Sequence, residues 1–233
     1  MKIGLLSDAH GNPEGLANCI SYLEQQGVEK IFFLGDAIGY LPRWAEVLEI
    51  LKRKNIFCLL GNHDACLFDE KALPNLSAAY QIFPEYIKSI ASYVDWISSW
   101  PSSYTETVDG KKLMFVHGSP MNLTGGYVYP WSDKSEFATV NADVFFMGNT
   151  HRPFVEHIGE KLLINVGSCG LPRDHGGLSS CAIYDSASMT CDVFRIPFDI
   201  DDVIAQSPDI HPSVEDCLHR TAEDFYGKVV IQA

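Results

Sequence analysis

A chain of 233 residues, 46% hydrophobic and 20% charged, has enough apolar material for one sizeable domain and too much for general disorder. Its 17 Lys and Arg against 30 Asp and Glu set a formal charge of −13, which disfavours extended nucleic acid; a small phosphorylated ligand fits if bound divalent metal supplies local positive charge. Seven cysteines without a C-x-x-C pair, several set in apolar runs, read as reduced hydrophobes, and no apolar stretch is long enough to cross a bilayer, so the expected compartment is the cytoplasm.

KIGLLS (2–7) predicts a buried strand. Asn12, Pro13 and Glu14 then supply an N-cap, an N1 proline and an acidic first turn for a helix running to about Gln26 and closed by Gly27. KIFFLG (30–35) predicts a second strand, WAEVLEILKRK a helix, and NIFCLLG (55–61) a third strand; this βαβαβ order implies a parallel sheet with helices against it. Residues 65–100 turn helical and aromatic, broken by Pro74 and Pro84, and predict either packing or a homo-oligomer face. SYTETV and KKLMFVHG flank Asp109-Gly110, a favoured hairpin turn. ADVFFMG is another buried strand, and FVEHI with KLLINVG, then SSCAIYD with TCDVFRI, make two further hairpins. A polar extension begins at about residue 198. Residues 1–233 therefore read as a single α/β domain of two packed sheets with helices outside.

The residues that close the apolar runs carry the chemistry. IGLL ends in Ser7-Asp8-Ala9-His10, IFFL in Gly35-Asp36, FCLL in Gly61-Asn62-His63-Asp64, LMFV in His117, VFFM in Gly148-Asn149-Thr150-His151, and LLI in Asn165-Val166-Gly167-Ser168. In open α/β sheets, ligands bind beyond the carboxyl ends of the strands, so these groups are expected to share one cleft. Carboxylate, imidazole and amide donors without a thiol suit Mn²⁺, Fe²⁺, Co²⁺, Ni²⁺ or Zn²⁺. The candidates exceed the needs of one four-coordinate ion, and two ions bridged by one carboxylate is the economical reading. A single Asp after a strand can equally be a helix cap. Capping does not explain His10, His63, His117 and His151 at four strand ends.

The ordered set D-x-H (Asp8, His10), G-D (Gly35, Asp36), G-N-H-D (Gly61 to Asp64), H-G (His117, Gly118) and G-x-T-H (Gly148 to His151) resembles the calcineurin-like metallophosphoesterase family. SDAHGN, GDAIGY, FVHGSP and NVGSCGLPRD are similar to its small bacterial and archaeal phosphodiesterases, and the likeness runs from Lys2 to about Pro197. The resemblance implies a four-layer αββα sandwich of two mixed sheets flanked by helices. It implies one metal on Asp8, His10, Asp36 and His151, and a second on Asp36, Asn62, His117 and residue 149. The family usually has His at that last position, where this chain has Asn149. An amide oxygen is a harder and weaker donor, so a less occupied second site, or one tilted toward Mn²⁺, is expected.

The implied activity is metal-dependent hydrolysis of a phosphodiester or phosphoanhydride in a small nucleotide-like substrate, by attack of a hydroxide held between two divalent ions. His63 is the implied general acid, with Asp64 orienting its ring. Arg173, and with less support Arg152, are candidate phosphate clamps, and His175 lies where it can touch substrate. A phosphomonoesterase, a nucleotide pyrophosphatase or dinucleoside polyphosphate hydrolase, and a protein phosphatase would use the same residues. A reading of another class is a non-catalytic binding scaffold of this fold with a degraded second metal site. Asn149 favours it; His63 and Asp64 oppose it. Tyr127, Tyr129 and Trp131, in the loop after His117, can stack a nucleobase or pack over the core. His157, His211 and His219 read as surface residues, and GDAIGY lacks the spacing of a dinucleotide fingerprint.

Overall fold

The computed structural model describes residues 1–69 and 83–230. Two mixed sheets stack face to face with helices flanking them. The first has the order β11-β10-β9-β1-β2-β3 and the second β4-β5-β6-β8-β7, numbered along the chain. The first sheet contains β1 (Lys2–Leu6), β2 (Lys30–Phe33), β3 (Phe57–Cys58), β9 (Leu178–Asp185), β10 (Thr190–Pro197) and β11 (Lys228–Val229). The second contains β4 (Ser103–Val108), β5 (Lys111–Val116), β6 (Val144–Met147), β7 (Phe154–Ile158) and β8 (Lys161–Asn165).

Each sheet holds a run of three adjacent parallel strands: β1, β2 and β3 in one, β5, β6 and β8 in the other. Five of these six, β1, β2, β3, β5 and β6, carry the candidate ligands at their ends, and antiparallel neighbours flank them. In the β4–β5 hairpin, Asp109 (φ 49°) and Gly110 (φ 76°) both take the left-handed conformation that the favoured two-residue turn requires.

Strand β1 faces apolar neighbours on both sides, as the unbroken IGLL run requires. Ile3 and Leu5 enter the core between the sheets with Phe32, Phe115, Phe146 and Ile164, while Leu6 joins the layer under the helices. Phe115 stacks on Phe32 at 4.3 Å and on Phe146 at 4.7 Å. Helices α1 (Pro13–Gln25) and α2 (Trp44–Arg53) cover the first sheet with Leu16, Ile20, Leu23, Trp44, Val47 and Leu51. Asn12 caps α1 by accepting from Gly15 N at 3.0 Å. The outer face of the second sheet is covered by residues 118–143, whose Phe137 packs edge-on to Phe145.

The expected helical and aromatic region at 65–100 falls partly at 70–82, outside the described residues. Its described remainder forms α3 (Asn62–Ala65), α4 (Pro84–Ser89) and α5 (Val94–Ser98). Ile90, Ile97 and Trp100 enter the core beneath α1 and α2, and Tyr86 lies edge-on to Trp44, so these residues pack inward. The polar extension folds back as α6 (Ile200–Ala205) and α7 (Pro212–Leu218), seating Val203, Val214 and Leu218 against Leu41 and Leu171. No described helix is long and apolar enough to cross a membrane.

Candidate metal centre

Five strand ends deliver their side chains to one buried cluster. Asp8, His10, Asp36, His117, Asn149 and His151 are all at most 3% exposed, as is His63. Donor atoms lie within 4.8 Å of one another in three overlapping triads: Asp8, His10 and His151; His10, Asp36 and His63; Asp8, Asp36 and His117. The residues sequence reasoning grouped are thus brought together.

The backbone bends sharply to aim them. Asp8 (φ 58°), His10 (46°), Asp36 (61°), Asn149 (64°) and His151 (57°) all occupy the left-handed region. Such conformations cost of order 1–3 kcal/mol each and persist where surrounding structure over-determines them. Here cross-links do so: Asp8 N donates to Gly35 O at 2.9 Å, His10 N to Asp36 O at 3.0 Å, and the Ser168 hydroxyl to Asp8 O at 2.7 Å. A methyl group at Gly61 would collide with the Asp36 carboxylate, so β3 can approach β2 this closely only with glycine there.

Three imidazoles are fixed through Nδ1. His10 donates to Ile38 O at 2.9 Å, His117 to Leu34 O at 3.0 Å and His151 to Leu171 O at 2.6 Å. Each Nε2 is then the atom left to offer a lone pair, and all three point inward. His10 and His151 bring theirs to 3.1 Å from each other, with Asp8 Oδ1 at 3.6 and 3.2 Å. His117 Nε2 faces Asp36 Oδ2 at 3.2 Å and Asn62 Oδ1 at 3.1 Å. Asp8 Oδ1 and Asp36 Oδ2 are buried, and among the described residues they face no polar partner besides these imidazole nitrogens. Orphaned carboxylate oxygens surrounded by inward lone pairs are what a cation site requires, so the residues fit divalent metal.

Electrostatics follow from this crowding. Burial opposes the charge on Asp36, yet His117, His63 and His10 hold it well below the usual carboxylate range. Burial likewise opposes Asp8, and His151 and His117 pull it down. Burial works against protonating His117, but Asp36 and Asp8 outweigh it and raise its pKa to about 9. His151 goes the other way, to about 4, through burial and the neighbouring Arg173.

Asn149 is held twice. Its backbone N–H donates to Asp8 Oδ2 and its Nδ2 to Gly126 O, both at 3.0 Å. With Nδ2 engaged, Oδ1 is the amide's remaining donor atom for a cation. Asp64 is tied to the backbone. Its carboxylate accepts from the backbone N–H groups of Asp36, Ala37, Ile38 and Gly61, fastening the β2 loop to the start of α3. His63 lies against Gly39, where a side chain would strike the ring, and its Nε2 is 3.9 Å from Asp36 Oδ2.

Arg173 donates to the Tyr40 hydroxyl at 3.1 Å. His175 turns to the C-terminal extension instead, with Nδ1 donating to Ala222 O at 3.3 Å and its ring 5.3 Å from Phe225. Tyr127, Tyr129 and Trp131 form a stacked ladder, with centroids 6.2 and 5.0 Å apart and Trp131 72% exposed, so packing over the core does not describe them. Sequence reasoning missed Tyr40, whose ring lies 4.8 Å from those of His10 and His63. The one signal was its place closing the GDAIGY string after Asp36.

The sequence pattern of the calcineurin-like phosphoesterase superfamily domain matches residues 1–189. The chain belongs to that superfamily. A metallophosphoesterase of Sphaerobacter thermophilus superposes with a TM-score of 0.75 and 26% identity, over 94% of this chain and 98% of that one. A hypothetical protein of Pyrococcus horikoshii shares the fold at 0.78 and 16% identity, over 98% and 99% of the two chains. An uncharacterised protein of Methanocaldococcus jannaschii is 29% identical over 216 residues, covering 85% of this chain and 88% of the relative. The superfamily is one of metal-dependent phosphoesterases, and the triads supply this member's candidate ligands.

Proposed function

We propose that this metallophosphoesterase hydrolyses phosphodiester or phosphoanhydride bonds in a small, nucleotide-like substrate, with two divalent ions held by Asp8, His10, Asp36, Asn62, His117, Asn149 and His151. The observation that carries the reading is the pair of orphaned, buried oxygens, Asp8 Oδ1 and Asp36 Oδ2, faced by inward imidazole nitrogens. When bound, divalent cations neutralise phosphoryl oxygens and make water a nucleophile near neutral pH. The remaining work falls to the chain. His63, beside Asp36 and Tyr40, is the proton donor to the leaving oxygen. Burial lowers its pKa, so it gains its proton when a phosphoryl anion arrives next to it. Asp64 is a positioning residue that holds the loops of Asp36 and His63 in register. Arg173 is the candidate phosphate clamp, its guanidinium held by Tyr40.

The similarity to the Sphaerobacter thermophilus metallophosphoesterase supports the same class of reaction. Turnover of bis-p-nitrophenyl phosphate after loading with Mn²⁺ tests it. Activity that depends on metal is expected; absence of turnover with every divalent ion tried would leave the fold as a binding scaffold.

A further inference from the structure

A cavity of about 250 Å³ opens beside the metal centre, lined by Tyr40, Leu171 and Arg173 on one side and by Ser213, Val214 and Arg220 of the C-terminal extension on the other. It shares its wall with the centre. The Tyr40 ring lies against His10 and His63, Leu171 O accepts from His151 Nδ1, and Arg173 N donates to His151 O. Tyr40 itself sits at φ 53°, a strained conformation for a bulky residue.

The charge there runs against that of the molecule. The chain carries −13 overall, yet Arg220, Arg173 and Arg152 all act on Cys217, whose thiol burial and, less strongly, Asp174 push up and these three guanidiniums pull down; Asp174 is itself paired with Arg195. Arg43 and Arg195 are neutralised by carboxylates. Among the described residues no such ion pair forms at Arg152, Arg173 or Arg220. Two of them are nonetheless held in place: Arg173 by the Tyr40 hydroxyl and Arg220 by the Arg173 carbonyl, at 3.0 Å. Each guanidinium has five N–H donors, so one such bond leaves most of them for a ligand. Ser213 adds a hydroxyl at the same wall. The volume is below the roughly 300–1,000 Å³ of pockets that take whole drug-sized ligands, which suits a single small anion. Ser213, Val214 and Arg220 also lie beyond residues 1–189, so the extension completes this site on the superfamily domain.

We propose that this cavity is a second phosphoryl subsite, and that the substrates are phosphoanhydrides of the nucleoside di- or polyphosphate class. The inference rests on the phosphoesterase reading above. One phosphoryl group occupies the metal centre and its anhydride neighbour the arginine cavity. Hydrolysis then forms one P–O bond from water and breaks the bridging P–O bond, whose electron pair stays on the departing phosphate oxygen. The water protons pass to the products and solvent. Arg173 and Arg220 meet the charge on that departing phosphate, on the side of the centre where Tyr40 touches His63.

The test uses the full chain loaded with Mn²⁺ and two substrates: adenosine 5′-diphosphate, which spans both subsites, and bis-p-nitrophenyl phosphate, which has one phosphorus. Arg220 is exposed, so its replacement leaves the core alone. Arg220→Ala is expected to lower kcat/KM for the diphosphate by at least about tenfold more than for bis-p-nitrophenyl phosphate, the scale of one charge-assisted hydrogen bond. Arg220→Glu should widen that gap. Equal losses on both substrates, or no loss on either, overturn the subsite. Should the wild type hydrolyse neither, the phosphoesterase reading fails, and calorimetry decides the subsite separately. Methylenediphosphonate should then bind Arg220→Ala at least about tenfold more weakly than the wild type, with inorganic phosphate changed far less; equal weakening of both anions, or none, overturns it.

Discussion

His117 Nε2 lies 3.2 Å from Asp36 Oδ2, close enough for a proton or a cation to sit between them but not for neither. In the metal-free protein it is a proton, because Asp36 and Asp8 raise the His117 pKa to about 9 against the effect of burial. A folded-state pKa above the ordinary 6.5 means this proton stabilises the fold fully below 6.5, and that its contribution fades as pH rises through about 9. Metal must displace it. Between those pH values loading is expected to release about one proton and apparent affinity to rise with pH. Calorimetry in two buffers of different ionisation enthalpy reads the release directly. Identical heats in both buffers would contradict the proton's presence.

His63 belongs to a triad with His10 and Asp36, so a ligand role competes with the proposed proton donation. The two roles separate on substitution. His63→Ala should cut kcat by about 10²–10⁴-fold, the range for losing one general acid, while metal content by elemental analysis stays nearly unchanged. Parallel loss of metal and turnover would make His63 a ligand.

Asn149→His tests the departure from the usual pattern. The bond from its backbone N–H to Asp8 survives any substitution, and histidine tolerates the left-handed conformation at φ 64° better than most residues. The amide bond to Gly126 O is lost, and an imidazole replaces the weaker oxygen donor. Second-metal affinity should tighten on the order of 10-fold by titration calorimetry. Unchanged affinity would remove residue 149 from the coordination shell.

How much of this was legible in the sequence depends on how each residue reaches the site. Asp8, Asp36, His117 and His151 lie within four residues of the ends of apolar runs, so the rule that α/β ligands gather at strand ends locates them without tertiary information. Asp64 and Tyr40 follow the same strands, but their tasks depend on partners elsewhere: four backbone N–H groups for Asp64, and Arg173, 133 positions away, for Tyr40. Periodicity carries nothing about such contacts. Arg220 had no signal at all, since an arginine in a polar tail looks like a solvated surface until α7 folds back beneath Leu41 and Leu171. The position of His175 in the chain suggested the site, but the next turn aims it at Phe225.

The loop carrying Arg173 is anchored through its neighbour. Asp174 forms a two-pronged pair with Arg195, at 2.6 and 2.8 Å, and Arg195 is fully buried while also donating to Leu178 O and Tyr226 O. A buried pair is weak evidence of net stabilisation, but removing one partner strands the other charge in the core. Asp174→Ala should therefore lower stability by about 3–5 kcal/mol in chemical denaturation. The double variant Asp174→Leu with Arg195→Met should regain part of that loss, because no charge is left stranded. Recovery would be incomplete, since the Leu178 and Tyr226 carbonyls lose their donor. The two outcomes separate charge burial from simple loss of contacts: a double variant less stable than Asp174→Ala alone would mean that Arg195 holds the loop through the carbonyls, and that its carboxylate partner is secondary.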